Sequence, residues 1–232
     1  MGKQAVSAVV AAAGASSRMD LRCGGSKQLI EIAGKPVVAR TLEIFNASPY
    51  ICEIIVSARS CDIGRIEEIA GAFNKVKSIT EGGGTRFESV AGAVRRVSHE
   101  SDYVAVHDGA RCFVTLGDIE KVALCAFSTG AASAGCRVTD TLKRVDAGGR
   151  IEQTLERGNL WAVQTPQIFL KDWYLRALEL FCLPAGASPP PDDCYIMESA
   201  GYGVTVVECS KYNLKLTDRQ DLEFLLHRGV LT

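Results

Sequence analysis

Runs of small and β-branched residues recur along the chain, separated by stretches whose apolar positions follow a helical period. The first run, Ala5–Ala13, ends in Gly14. A segment without a polar face suits a central parallel strand buried on both sides. Similar runs at Ile51–Ala58, Tyr103–His107, Ala131–Val138 and Val204–Glu208 are interleaved with amphipathic stretches at Cys61–Phe73, Arg86–Val97 and Leu116–Phe127, which predict helices. Strand and helix in alternation predict an α/β fold, a mostly parallel sheet covered on both faces. Ligands of such sheets bind beyond the carboxyl ends of the strands, so the loop after Ala13 is a place to expect chemistry.

Thr139–Leu155 breaks the rhythm. Thr141–Val145 and Arg150–Thr154 flank the turn-rich Asp146-Ala147-Gly148-Gly149, which predicts a hairpin protruding from the sheet as an arm at about residues 139–157. Leu183–Pro191 concentrates four prolines with Gly186. Such a segment is excluded from helix interiors and is expected as a surface loop, placed to act as a lid. Asp192–Glu198 and Asp218–His227 are expected as short helices, the second with Thr217 as its N-cap. No internal repeat is visible.

Length and composition narrow the class. At 232 residues with 47% hydrophobic and 23% charged, residues 1–232 suffice for one substantial core and one domain. The 26 basic and 27 acidic residues leave a net charge of -1, without the positive field that holds a nucleic-acid backbone. No apolar run approaches the roughly 20 residues of a membrane span, and Met1 to Gly14 reads as a first strand and loop instead of a targeting segment. A soluble, cytoplasmic protein with neither nucleic-acid nor membrane partners is expected. The nine cysteines contain no C-x-x-C pair, which suggests free thiols in a reducing compartment and no zinc site.

Three segments carry candidate chemistry. In Ala11-Ala12-Ala13-Gly14-Ala15-Ser16-Ser17-Arg18-Met19, small residues after a strand let backbone N–H groups close around a phosphate, with Arg18 and Lys27 supplying charge. The bland reading is a tight turn. The spacing matches neither the dinucleotide fingerprint nor the P-loop, so a nicotinamide-dependent dehydrogenase loses its main support. Gly82-Gly83-Gly84-Thr85-Arg86-Phe87-Glu88-Ser89-Val90 is a glycine-rich loop entering a helix, able to read the edge of a base or to serve only as a connector. Val106-His107-Asp108-Gly109-Ala110-Arg111 ends a buried strand. Asp108 there suits Mg²⁺ bound jointly with phosphates, or else caps a helix. His107 is expected to be structural, and His99 and His227 have no partners suggesting a catalytic triad. Thr139-Asp140-Thr141-Leu142-Lys143, Arg157, Thr165-Pro166-Gln167 and Asn213-Leu214-Lys215 add hydroxyls and cations that are surface residues by default.

Taken together and in order, these segments resemble the 2-C-methyl-D-erythritol 4-phosphate cytidylyltransferase family. The likeness runs through A-A-G-x-x-x-R-M at 12 to 19, Lys27-Gln28, Gly34-Lys35-Pro36-Val37, Gly83 to Val90, V-H-D-x-A-R at 106 to 111, Asp140-Thr141 with Lys143, Gln164 to Gln167, and Asn213-x-Lys215-x-Thr217. The resemblance implies a Rossmann-like three-layer sandwich and a homodimer clasped by the β-arm. It implies transfer of a cytidylyl group from CTP to a small polyol phosphate, with Mg²⁺ as the metal and pyrophosphate leaving. By motif position, Arg18, Lys27, Arg157 and Lys215 would be catalytic. Ala12, Ala13, Gly14, Gly83, Ser89 and Asp108 would bind the nucleotide, and Asp108 the metal. Arg111, Thr141, Thr165 and Lys215, with Arg157 from the partner's arm, would hold the polyol phosphate.

Departures accompany the likeness. The segment from Met19 to Lys27 is about two residues longer than the family's usual loop. Ser26 stands where proline is common, which is expected to loosen Lys27. Gly109 and Cys112 replace an alanine and a proline, and Pro191 replaces a threonine that contacts substrate. Two neighbouring readings share these cations: a ribitol 5-phosphate cytidylyltransferase, and a catalytically silent nucleotide-binding or assembly protein.

Overall fold

The computed structural model describes residues 4–14, 19, 25–183 and 186–229. The first apolar run forms strand β1, Val6–Ala12, buried along nearly its whole length. A 3-10 turn, Lys27–Leu29, leads to two short strands, β2 (Glu31–Ile32) and β3 (Lys35–Pro36), and to helix α1, Val37–Ala47. Then follow β4 (Ile51–Ala58), α2 (Ile63–Ala70), β5 (Val76–Glu81), α3 (Arg86–Val94), β6 (Tyr103–Asp108), α4 (Leu116–Thr129) and β7 (Ala131–Arg137). The arm is β8 (Lys143–Val145) paired with β9 (Ile151–Thr154). The chain ends in β10 (Trp161–Leu170), α5 (Lys171–Leu180), α6 (Asp193–Ser199), β11 (Thr205–Glu208) and α7 (Arg219–Gly229).

Seven strands make one sheet in the order β11-β7-β10-β6-β1-β4-β5. Every pairing is parallel except those of β10, which runs against both β6 and β7. Because successive side chains of a strand point to opposite faces, β1 feeds two cores. Val6, Ala8, Val10 and Ala12 pack with residues of α1, α2 and α4, such as Phe45, Ile66 and Ile119. Val9 packs on the other face with Val90 of α3, Tyr174 of α5 and Met197 of α6. The result is the expected mostly parallel three-layer α/β sandwich.

Six elements escape the periodicity argument, the short strands β2 and β3 among them. Helix α1 begins directly after Pro36, and β5 is a half-buried edge strand. Strand β10 carries Pro166, and its ladder with β7 is interrupted between Val163 and Gln167, as expected of a residue with no N–H to donate. Helix α5 follows it without an intervening residue. One cap is corrected. Helix α7 starts after Asp218, not Thr217: Asp218 Oδ1 accepts from the Asp221 N–H at 3.0 Å, and Asp221 Oδ2 accepts from the Asp218 N–H at 3.1 Å. A carboxylate at each end of this reciprocal pair satisfies two free donors of the first turn, leaving Thr217 outside the helix.

Candidate active site

The order in which the chain adds strands to the sheet reverses at β1, with β4 and β5 on one side and β6 on the other, so a crevice opens beyond the ends of β1 and β6, the expected ligand position in such sheets. A cleft of about 480 Å³ occupies it. Its walls bring together Ala11, Ala13 and Gly14 after β1, Lys27, the loop Gly82–Ser89, Asp108 at the end of β6, and Lys215.

The glycine loop is shaped by its own helix start. Thr85 Oγ1 accepts from the Glu88 N–H at 3.1 Å, and Glu88 Oε2 accepts from the Thr85 N–H at 3.0 Å, closing a capping box. Ser89 accepts from the Gly83 N–H at 3.1 Å and donates to the Thr85 carbonyl at 2.8 Å. The hydroxyl expected to meet the base therefore first folds the loop. Gly82 is required here because a Cβ would stand 2.2 Å from the Ala13 Cβ and 2.9 Å from Ser89 Oγ.

Lys27 is buried in the cleft wall, its Nζ donating to the Leu216 carbonyl at 3.0 Å. Ser26 caps its turn by accepting from the Gln28 N–H at 3.4 Å, and it also bonds Asp62. Burial works against ionisation of Asp62, yet the Arg59 guanidinium, at 2.7 and 3.1 Å, and Ser26 hold its carboxyl below the usual range. The serine thus anchors by hydrogen bonding the turn that a proline would hold by its ring, contrary to the expected loosening.

Asp108 is the most heavily engaged group. Arg86 Nε meets Oδ1 at 2.9 Å, while Lys215 Nζ at 2.9 Å and Arg111 Nε at 3.4 Å meet Oδ2. Burial favours the neutral acid, but the Arg86, Lys215 and Arg111 charges hold the carboxyl far below its ordinary range. Among the described residues no three His, Cys, Asp or Glu side chains are arranged as a metal cage. The donor set still suits Mg²⁺, which needs one or two carboxylates and takes its remaining oxygens from phosphates and water.

His107 is structural, as expected. Burial pushes its imidazole down to about 3, so the ring is neutral. Nε2 lies 3.2 Å from the Arg111 carbonyl, which only accepts, so Nε2 carries the proton; Nδ1 then accepts from the Thr165 hydroxyl at 3.0 Å. That hydroxyl in turn accepts from the Asp108 N–H at 3.0 Å.

Several expected site residues lie elsewhere. Thr165 is buried beneath Asp108 and holds its backbone, away from the cleft wall, because its hydroxyl is committed on both sides. The Ala12 side chain points into the core, as alternation along β1 requires, leaving Ala11 and Ala13 on the wall; the role expected of Ala12 is one of its backbone amide, which this orientation leaves open. Arg111 is turned to Asp108 and to the Asn213 carbonyl, at 2.8 Å, and is not part of the wall. Thr141 is exposed on the arm, outside this chain's cleft; Arg157, expected to serve the partner's site and not its own, bonds the Thr139 carbonyl at the base of the arm. Arg18 lies outside the described residues. Asn213 bonds the Thr165 carbonyl at 2.7 Å, which fastens the segment carrying Lys215 to β10. Arg86 and Arg59 are cleft residues that motif reasoning left without a role; the one available signal was an arginine closing a glycine-rich loop.

The cleft combines fixed cations, a strand-end carboxylate and a glycine loop, the parts that bind and transfer a phosphorylated nucleotide. A sequence model of the family described as 2-C-methyl-D-erythritol 4-phosphate cytidylyltransferase matches residues 6–227. The enzyme of that name from Halalkalibacterium halodurans is 38% identical over 224 residues, covering 94% of each chain. The one from Clostridium acetobutylicum is 38% identical over 218 residues, covering 93% of each. The crystal structure of 4-diphosphocytidyl-2C-methyl-D-erythritol synthase from Anaerococcus prevotii superposes with a TM-score of 0.85 at 26% identity, covering 97% of this chain and 96% of that one. The likeness runs over nearly the whole length, and the chain belongs to the 2-C-methyl-D-erythritol 4-phosphate cytidylyltransferase family.

Proposed function

We infer that the chain transfers CMP from CTP to 2-C-methyl-D-erythritol 4-phosphate, releasing pyrophosphate and forming 4-diphosphocytidyl-2-C-methyl-D-erythritol. The observation that carries this reading is the meeting of Lys27, the Gly82–Ser89 loop, Asp108 and Lys215 in one strand-end cleft of a chain matched to the family over residues 6–227. A phosphate oxygen of the polyol substrate attacks the α-phosphorus in line. The new O–P bond forms as the bond to the β-phosphate breaks, and pyrophosphate leaves with the electron pair. Catalysis is positioning and charge neutralisation, with no covalent enzyme intermediate.

In this reading the amides of Ala13 and Gly14 line the triphosphate, and the loop through Gly83 and Ser89 faces the cytosine. Lys27 and Arg18 neutralise charge growing on the α-phosphoryl group. Asp108 holds Mg²⁺, which when bound supplies further neutralisation of the triphosphate. Lys215 exchanges Asp108 for the polyol phosphate, and Arg111 lies behind it. Arg157 and Thr141 serve a neighbouring subunit, because the arm carries them away from their own cleft. That requires a homodimer; the setting is cytoplasmic.

The test is pyrophosphate release from CTP and magnesium with methylerythritol 4-phosphate or ribitol 5-phosphate, using ATP, GTP and UTP as controls. Turnover with CTP and the methylerythritol substrate is expected. Activity confined to ribitol 5-phosphate, or tight CTP binding with no turnover on either, would overturn the assignment.

A further inference from the structure

We propose that Arg86 is a positioning residue for cytidylyl transfer: one guanidinium grips Asp108 at the end of β6 and Asp193 in the first turn of α6, fixing the cleft carboxylate to the helix that follows the proline-rich segment. The proposal rests on the transfer reaction inferred above.

The geometry is a fork between two buried acids. Arg86 Nε meets Asp108 Oδ1 at 2.9 Å and Nη1 meets Asp193 Oδ2 at 2.7 Å, with the two carboxylate side chains 8% and 1% exposed. Asp193 is itself held from other directions. The Tyr174 hydroxyl donates to its second carboxylate oxygen, and its N–H donates to Gln167 Oε1 at 3.1 Å. The same Gln167 donates through Nε2 to Asp192 Oδ2 at 3.0 Å, while Asp192 caps α6 by accepting from the Tyr195 N–H at 2.9 Å. Arg86 therefore connects a rigidly placed helix start to Asp108.

The two oxygens of Asp108 differ. Oδ2 is shared by Lys215 and Arg111, and the Lys215 side chain is 34% exposed at the cleft wall, placed to leave for a ligand. Oδ1 is the Arg86 side, tied to α6. When Lys215 turns to a phosphate, the Arg86 fork keeps the carboxylate in one orientation. Only a planar guanidinium spans both acids; a lysine ammonium is a point charge that reaches one. Nη2 of Arg86 is buried with no hydrogen-bond partner, so the side chain's bonding is committed to these two acids.

The experiment measures kcat and KM in steady state, and CTP affinity separately by titration calorimetry, for the unsubstituted protein, Arg86→Lys, Asp193→Asn and the double variant. The unsubstituted protein must turn over; if it is silent, the transfer reaction fails and not the positioning role. A misplaced reacting group costs on the order of a hundredfold, so Arg86→Lys is expected to lose at least about tenfold in kcat with CTP affinity within about threefold. Asp193→Asn is expected to lose less, and the double variant to be no worse than Arg86→Lys, because both act through one link. A kcat loss below about tenfold, a loss carried by CTP affinity, or additive effects in the double variant would overturn the proposal. Should Arg86→Lys not fold, Tyr174→Phe removes only the hydroxyl steadying Asp193: lowered kcat with unchanged CTP affinity supports the link, and unchanged kcat refutes it.

Discussion

At the scale of single residues, the cleft shows how burial and charge divide labour between neighbours. Asp108 and His107 adjoin on β6 and are both buried, yet one is held ionised by three cations and the other is held neutral. Burial disfavours charge on either; only the carboxylate has partners that outweigh it. This has a consequence for the metal-free protein. Unfolded histidine titrates near 6.5, whereas folded His107 titrates at about 3, so between those values the unfolded chain binds the extra proton. Stability is then fully present above about pH 6.5 and falls as pH drops toward 3, with a slope of up to about 1.4 kcal/mol per pH unit from this group. Urea denaturation across that range should show the decline, and His107→Gln should flatten it. For Lys27 the proposed reaction sets a different expectation. Lys27→Ala is expected to lower kcat by about 10²–10³-fold, the cost of removing one preorganised electrostatic group, with a much smaller change in CTP affinity. Equal loss of affinity with turnover intact would remove Lys27 from that role.

Among elements, the glycine loop and its helix carry the most stringent local demand. A Cβ on Gly82 overlaps Ala13 and Ser89, so Gly82→Ala should push the loop away from the end of β1 and weaken CTP binding at least about tenfold, with a stability cost of about 1–3 kcal/mol. Calorimetric titration and a thermal melt measure the two effects. The capping box at Thr85 and Glu88 has the three-residue spacing of that motif but is absent from the sequence-based expectations, and at α7 the same logic selects Asp218 over Thr217 only once Asp221 is seen to reciprocate. Strands β1, β4, β7 and β11 and helices α2 and α3 lie within the segments that periodicity predicts, while β6 runs one residue and α4 two residues past theirs. Strand β10 was not legible: its proline argues against a sheet interior, and its antiparallel place between β6 and β7 comes from partners far away in the chain.

For the whole molecule, the arm is the feature that one chain does not explain. Val145 and Ile151 on the hairpin are 49% and 60% exposed, and a hairpin this short is at best marginal in water without something to pack against. A dimer in which the arm lies on a second copy covers these side chains and carries Arg157 toward the other cleft. Replacing both by lysine is expected to yield monomers in analytical ultracentrifugation and to raise the KM for the polyol phosphate at least about tenfold, while CTP affinity stays within about threefold. A dimer that persists with unchanged KM would contradict this assembly.

The order of most strands and helices, the position of the loop Gly82–Gly84 and the acid at the end of β6 were determined by the sequence itself, because hydrophobic period and turn chemistry are local properties of a dozen residues. Tertiary structure decided which groups meet. Arg86 reaches Asp108 across 22 residues and Asp193 across 107, Lys215 closes on the same carboxylate, and Thr165 disappears under it to hold its backbone. A cation or hydroxyl in a motif has many possible partners along a chain. The partner it takes depends on how the sheet brings distant strand ends together and on which charges burial forces to pair.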